Sequence, residues 1–474
     1  MNFKIKKVRK RDGEIVDFEQ SKITNAILAA GKAAGELDLR TAKNLSDKVV
    51  NTLNKLFKKR KRIPEVEKIQ DIVEITLMRK DFLKSAKAYI LYRKEHQQIR
   101  EERKRILNGN TTKLPFSLNS LKILAGRYLR KDSKSGKIME SPEDMFRRVS
   151  KSLSQVEKKY KKSNEEIKEW ENKFYQVMFN LEFLPGGRTL ANAGSSIKVV
   201  SNCIVLHIED SMDGIFRTLH DATLLQQSGS GVGFPFHNLR PAGYSAKRTQ
   251  GLASGPVSFL RVYDKAFGEI KQQGRHGANM AVMRVDHPDI LDFIHAKDRE
   301  GELTNFNISV SLTDKFMEKA MDRSEQPWVC QFGGKKVLPR KITRDKNGHI
   351  SQVQEVKITP SEIMAEISSS AWTNGEPGII FIDEVNRNNP LPGLGRIEAS
   401  NPCGEQFLHD GDACNLGSIN LAKFVKNKKI DWDRLKETSE IAVRMLDNVV
   451  DITQFSIDRV NNVFKRNRRL GIGV

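Results

Sequence analysis

The sequence predicts an α/β protein in three parts. Three observations carry this. Residues 1–98 open on a hairpin pattern and continue into helical periodicity. Residues 99–182 are charged and read as helices. From Phe183 the texture turns to glycine, small polar residues and short apolar runs. Strands then alternate with helices across 183–474, the pattern of an α/β domain, open or closed into a barrel. A chain of 474 residues suits this count at roughly 150 residues per domain.

In the first part, Ile5 to Val8 and Ile15 to Phe18 flank the turn Arg11-Asp12-Gly13. Asp-Gly between alternating segments signals a hairpin. Three helical faces follow: Ile23, Ala26, Ile27 and Ala30; Ala42, Leu45, Val49, Leu53 and Leu56; and Val66, Ile69, Val73 and Leu77. A fourth helix starts near Asp81 and runs on to Leu107, where Asn108-Gly109-Asn110 breaks it. In the second part, Ser141-Pro142-Glu143-Asp144 is a helix start, with serine as cap and proline at the first helical position.

In the third part, residues 184–195 (Leu-Pro-Gly-Gly-Arg-Thr-Leu-Ala-Asn-Ala-Gly-Ser) read as a loop rich in free N–H groups and hydroxyls. Ser201 to Ile208 reads as a strand carrying Cys203 near its start. The glycines of 228–234, Ser-Gly-Ser-Gly-Val-Gly-Phe, lack the Lys-Ser/Thr pair of a P-loop, so they serve close backbone approach to a ligand or a neighbouring strand. Basic residues 240–248 and polar residues 272–280 read as loops, and 326–358 as a β-rich insertion. Thr359-Pro360-Ser361-Glu362 is a capping box. Asn401-Pro402-Cys403-Gly404-Glu405 is a tight loop that sets a thiol between a carboxamide and a carboxylate, with Cys414 shortly after it. Such loops often carry active-site residues.

Composition excludes several classes. No run of eighteen apolar residues exists, so no membrane span is expected. The start lacks the apolar stretch of a signal peptide. Four cysteines do not make a disulfide scaffold, and their spacing fits no zinc template, so no metal site is expected. A reducing cytoplasm is the expected location. The net charge of +22 comes largely from Lys/Arg runs such as 55–62 and 157–162. These alternate with acids on helices and suit solvated faces or anionic nucleotides, with no signature of a specific nucleic-acid binder.

Residues 8–13 (Val-Arg-Lys-Arg-Asp-Gly), Phe18, Lys22-Ile23 and the closing 88–93 (Ala-Tyr-Ile-Leu-Tyr-Arg) resemble the ATP-cone, a module that binds ATP or dATP. The resemblance implies nucleotide contacts from Val8, Lys10, Arg11 and Lys22, with Lys87 and Arg93 as further candidates. The motifs at 201–203 (Ser-Asn-Cys), 228–234, 274–280 (Gly-Arg-His-Gly-Ala-Asn-Met), 401–405 and 413–421 (Ala-Cys-Asn-Leu-Gly-Ser-Ile-Asn-Leu) together resemble the catalytic subunit of ribonucleotide reductase. The implied fold is an ATP-cone at 1–98, a helical domain at 99–182, and at 183–474 the first part of a ten-stranded α/β barrel with a central finger loop.

The resemblance assigns roles. Cys403 would bear a thiyl radical that abstracts the ribose 3′ hydrogen, with Glu405 as general base and Asn401 hydrogen-bonding the substrate. Cys203 and Cys414 would deliver reducing equivalents and close a disulfide. That requires Cα atoms within about 7 Å, hence adjacent strands. Thr189, Asn192, Ser195, Asn202, Gly231 and Arg275 are implied in substrate binding. Asp210, Lys247 and Arg248 are implied contacts to a dNTP specificity effector. His276 is open between surface and site, and Cys330 reads as structural. The string from Asn401 to Cys414 looks most like the adenosylcobalamin-dependent class acting on ribonucleoside diphosphates, for deoxyribonucleotide synthesis. Implied partners are a thioredoxin- or glutaredoxin-type reductant, a second copy in a homodimer and a C-terminal complementary chain. In the family the motif at 468–474 continues into further barrel, so the expectation is a truncated or split protein, inactive alone. Two alternatives stand beside this: a large subunit working with a metal-containing radical subunit, and a non-catalytic nucleotide-binding fragment.

Overall fold

The computed structural model describes residues 4–11, 13–58, 62–201, 203–246, 251–272, 275–345 and 349–474. They form two compact units, 1–125 and 126–474.

In the first unit a short antiparallel hairpin pairs Lys7–Arg9 with Ile15–Asp17, Val8 opposite Val16. Helices Gln20–Ala34, Leu39–Lys58, Val66–Arg79 and Leu83–Ile106 follow. Each helical face read from the sequence supplies part of the core: Ile27, Ala42, Leu45, Val49, Leu53, Val73 and Leu77 are buried together. The first helix ends where Gly35 takes a left-handed φ of 66°, a conformation that costs a side-chain-bearing residue more.

In the second unit two helices lead, Pro142–Ser154 and Asn164–Phe179. Both open on reciprocal capping boxes, Ser141 with Asp144 and Ser163 with Glu166. Eight strands form the main sheet: β1 Phe183–Pro185, β2 Cys203–Val205, β3 Gly231–Pro235, β4 Asn279–Arg284, β5 Phe306–Leu312, β6 Gly378–Phe381, β7 Ala413–Ile419 and β8 Arg469–Gly473. Their order is β6-β5-β4-β3-β2-β7-β8, with β1 also on β7. β2 to β6 are mutually parallel, β7 meets β2 antiparallel, and β8 continues parallel to β7.

Alternation along the strands sorts side chains to two faces. Ile204, Val232, Phe234, Ala281, Met283, Ile308 and Val310 join the large core shared with the helices. Cys203, Val205, Met280, Val282 and Cys414 form a second cluster on the other face, with Ala399 and Leu408. A cavity of about 720 Å³ is lined by Ile379, Ile380 and Phe381 of edge strand β6 and by Arg469 and Leu470 of the opposite edge strand β8. The sheet therefore curls until its two edges share one cavity, which makes it a partial α/β barrel.

Three local expectations change. The glycine-rich 184–195 contains β1 and a short helix, Gly187–Asn192, because β1 pairs with β7 and Thr189 and Asn192 bond to the chain ahead. Cys414 lies inside strand β7. A helix at Ile382–Arg387 and another at Asp458–Asn467 stand where the sequence reading set no element. The insertion 326–358 is β-rich as expected, made of the hairpins Cys330–Phe332/Lys335–Val337 and Arg340–Arg344/Ile350–Glu355.

Candidate functional site

The tight loop at 401–405 tips a hairpin whose legs are Ala399–Ser400 and Phe407–Leu408. The tip is built by its own backbone. Asn401 N–H donates to the Gln406 carbonyl at 2.9 Å, and Gly404 N–H to the Asn401 carbonyl at 3.0 Å. The Asn401 carboxamide oxygen accepts from Gln406 N–H at 2.9 Å. Asn307 on β5 donates its side-chain N–H to the Pro402 carbonyl at 2.8 Å and moors the tip to the sheet.

This finger lies hard against β3, and glycine is what lets it. A Cβ on Gly233 would stand 1.8 Å from the Ser400 carbonyl oxygen, and one on Gly231 would stand 2.9 Å from Pro402 Cγ. The glycines of 228–234 thus make room for backbone, the second of the two uses open in the sequence. Gly231, a substrate-binding candidate, touches the finger.

Beneath the finger, β2 and β7 place Cys203 directly opposite Cys414. Directly opposed residues of an antiparallel ladder sit about 4.5–5.5 Å apart at Cα, within the span of a disulfide. Both are free thiols and buried, whereas Cys403 is exposed. Burial pushes the Cys203 thiol up to about 12, against the Asn401 side-chain N–H that bonds its sulfur at 3.2 Å. Glu405 raises it further. Burial, then the neighbouring Cys203, drives Cys414 well above the usual thiol range. Both groups therefore hold their protons at neutral pH. Asn401, fully buried, links the finger to this pair.

The other candidates fall as follows. Thr189 donates to the Val200 carbonyl at 2.9 Å and Asn192 to the Val199 carbonyl at 2.7 Å, so both side chains hold the approach to β2. Ser195 accepts from Ile197 N–H at 3.1 Å. Asp210 accepts from the backbone N–H of Arg240 at 3.0 Å and from its guanidinium at 2.9 Å. Asn202, Lys247 and Arg248 lie outside the described residues, as do the side chains of Arg275 and His276. In the first unit Val8 sits in the hairpin, Lys10 pairs with Glu14 at 2.8 Å and Lys22 with Glu19 at 2.8 Å. Arg11 pairs with Glu67, which Arg93 also meets at 2.7 Å.

Sequence reasoning missed three contributors. Ser201 donates its hydroxyl to the Cys414 carbonyl at 2.7 Å and ties the two thiol-bearing strands. Asn307 moors the fingertip. At the finger's root Glu398 lies 3.6 Å from His207 and 3.8 Å from His237. Ser201 was readable as a neighbour of Cys203; the other two carry no local signal. Among the described residues no three His, Cys, Asp or Glu side chains are grouped to hold a metal ion. No described helix is long and apolar enough to cross a membrane.

A partial α/β barrel with a thiol-tipped finger over an opposed pair of buried thiols defines a cysteine-centred barrel protein. Comparison with known families identifies it further. The barrel domain of ribonucleotide reductase matches residues 201–474, its all-alpha domain residues 114–197, and the ATP cone domain residues 6–98. The chain belongs to the ribonucleotide reductase family. It is 40% identical to a vitamin B12-dependent ribonucleoside-diphosphate reductase of Thermoplasma acidophilum, over 99% of this chain and 66% of that protein. A protein of the same description from Mycobacterium tuberculosis is 37% identical over 99% of this chain and 64% of its own length. A vitamin B12-dependent ribonucleotide reductase of Streptomyces coelicolor is 28% identical over 76% of this chain and 38% of its own. The chain thus spans just under two thirds of the first two relatives.

Proposed function

We propose that this chain carries the radical and dithiol centre of a ribonucleoside-diphosphate reductase, with 1–98 as its nucleotide-binding regulatory domain, 99–182 as the helical domain and 183–474 as part of the catalytic barrel. The observation that carries this reading is the register of Cys203 against Cys414 beneath the Cys403 finger.

Cys403, as a thiyl, takes the ribose 3′ hydrogen and becomes a thiol. Glu405 removes the 3′-hydroxyl proton as general base, which eases departure of the 2′-hydroxyl from the adjacent carbon. Cys203 and Cys414 are protonated thiols, so one can donate the proton that lets this hydroxyl leave as water. The pair supplies two electrons and two protons in all and closes a disulfide. The 3′ carbon recovers its hydrogen from Cys403, which is again a thiyl. Atoms balance: one ribonucleotide and two thiols give one deoxyribonucleotide, one disulfide and one water. Asn401, which bonds the Cys203 sulfur, hydrogen-bonds the substrate.

The vitamin B12-dependent relatives point to adenosylcobalamin, and the cavity beside Glu405, which opens between the two edges of the sheet, offers one part of a wall for it. Ile379, Phe381, Val385 and Phe407 make an apolar wall, and Asn388, Asn389 and Gln406 offer carboxamides to an amide-fringed group. Bound there, the cofactor would supply the initiating radical by homolysis of its cobalt–carbon bond.

Several partner assignments belong to this proposal. The dNTP effector meets Asp210, Lys247 and Arg248, and ATP or dATP meets Val8, Lys10, Arg11 and Lys22. A thioredoxin- or glutaredoxin-type protein reopens the disulfide. Exposed Met212, Phe216 and Val262 support a homodimer face. Edge strands β6 and β8, each with one neighbour among the described residues, support pairing with further strands of a complementary chain. Four cysteines outside any disulfide fit a cytoplasmic setting.

The test is anaerobic CDP reduction with adenosylcobalamin and a dithiol, by the chain alone and with a polypeptide matching the remaining third of the relatives. Turnover is expected in the second case and lost in Cys403→Ser. In Cys414→Ser the steady state is expected to fail. An active Cys403→Ser protein would overturn the reading.

A further inference from the structure

The hairpin insertion 326–358 has no part in the chemistry above, yet it reaches back to the segment that follows β3. There the Ala242 N–H donates to Asp289 Oδ2 at 2.7 Å. Arg340, on the insertion, donates to Asp289 Oδ1 at 2.6 Å and also to the Ala242 carbonyl. Both backbone groups of one residue are thus held by one ion pair. Asp289 is fully buried and Arg340 nearly so. The backbone N–H of Arg340 donates to the Pro288 carbonyl at 2.8 Å and locks the insertion to the same turn.

The neighbours reinforce this clamp. The Tyr244 ring lies 5.1 Å from the Arg340 guanidinium and meets Phe332 of the insertion edge-on at 6.1 Å. Phe332 also packs on His287. His287 donates Nε2–H to the Leu239 carbonyl at 3.0 Å and accepts the Asp289 N–H on Nδ1 at 3.0 Å. From the clamp rises a two-stranded ribbon, Ser245–Ala246 paired with Gly251–Leu252. It is closed at its root by Gly243 N–H to the Ala253 carbonyl and Ala253 N–H to the Tyr244 carbonyl, both at 2.8 Å. On its other flank Asp210 holds Arg240.

We infer that Arg340 and Asp289 are positioning residues that fix the root of the ribbon at 243–246 and 251–253, so that the insertion sets how the chain receives its specificity nucleotide. This rests on the reading of that ribbon as an effector contact. The clamp concerns the root alone, since residues 247–250 lie outside the described residues. A neutral side chain in place of Arg340 leaves the Ala242 carbonyl and the Asp289 carboxylate without their donor. Both bonds leave one terminal nitrogen of Arg340, so lysine keeps the charge and the donors but loses the planar guanidinium that lies against Tyr244. A loop held in its binding form only part of the time binds more weakly in proportion to that fraction.

The test uses the full chain and its Arg340→Lys, Arg340→Met and Tyr244→Ala variants. Tyr244 is half-exposed, so its variant keeps the test open should the buried changes fail to fold. Hydrogen exchange reads the Ala242, Gly243 and Ala253 amides, and titration calorimetry reads dTTP and ATP. The expected result is faster exchange at these amides, a dTTP dissociation constant raised about tenfold, as for a competent fraction of about one tenth, and ATP binding unchanged. Faster exchange with unchanged dTTP affinity overturns the positioning role alone. Unchanged exchange in every variant overturns the clamp. A wild-type chain that binds ATP but no dTTP sinks the effector reading, and this role with it.

Discussion

Replacing Gly233 with alanine should loosen the finger from the sheet by a calculable amount. The new Cβ would sit 1.8 Å from the Ser400 carbonyl oxygen and 2.9 Å from its carbon. An ordinary contact needs about 3.5 Å, so something must move by roughly 1.7 Å. The obstacle is backbone, held at the root of a hairpin, and no rotamer change relieves it. Overpacking of this kind costs about 1–3 kcal/mol. Alanine also restricts the unfolded chain, which offsets about 0.4–1 kcal/mol. A backbone clash this deep takes the upper half of the overpacking range, about 2–3 kcal/mol, so the net expectation is a loss of about 1–2.6 kcal/mol. Gly231→Ala is the graded control, because its new Cβ meets the Pro402 ring at 2.9 Å, which can shift, and the Ala278 carbonyl oxygen at 3.4 Å, an ordinary contact. Urea unfolding at fixed pH measures both, and thiol titration of Cys403 reports the finger's displacement. The reasoning fails if Gly233→Ala lies within about 0.5 kcal/mol of the parent chain, or if Gly231→Ala costs more.

Three further outcomes are expected. Iodoacetamide should label Cys403 first, with buried Cys203, Cys330 and Cys414 reacting only as the fold opens; equal rates in peptide mapping would contradict the thiol arrangement. Stability should fall above about pH 9, because unfolded Cys203 loses a proton near pH 8.5 that the folded thiol keeps to about 12. Each pH unit in that window costs about 1.4 kcal/mol per such thiol, and Cys203→Ser should flatten the slope. On the acid side, burial holds His287 down to about 3. Unfolded histidine takes up a proton near pH 6.5, so stability is lost as pH falls from there toward 3. His287→Gln should remove part of that dependence in acid unfolding curves, and an unchanged slope would count against a neutral His287.

The helices and their ends were legible because their causes are local. Ser141 and Thr359 each satisfy donors within their own first turn. The finger was legible because proline and glycine beside Cys403 are turn chemistry in any context. The helices Ile382–Arg387 and Asp458–Asn467 were not, being short segments without a strong periodic run. Nor was the use of Thr189 and Asn192, whose partners Val199 and Val200 are set by where the chain turns toward β2.

The sequence by itself determined which groups are available: three thiols, a carboxamide and a carboxylate in recognisable strings, and glycines without the Lys-Ser/Thr pair of a phosphate loop. Only the tertiary structure decided what they meet. Cys203 and Cys414 lie far apart in the chain and become opposite numbers solely through the antiparallel seam between β2 and β7. Asn401 bonds the Cys203 sulfur because the finger hairpin is pressed onto β3, where Gly231 and Gly233 leave the space. Sheet order and register are long-range, and a side chain's periodicity names the face it occupies without naming its neighbour across the sheet.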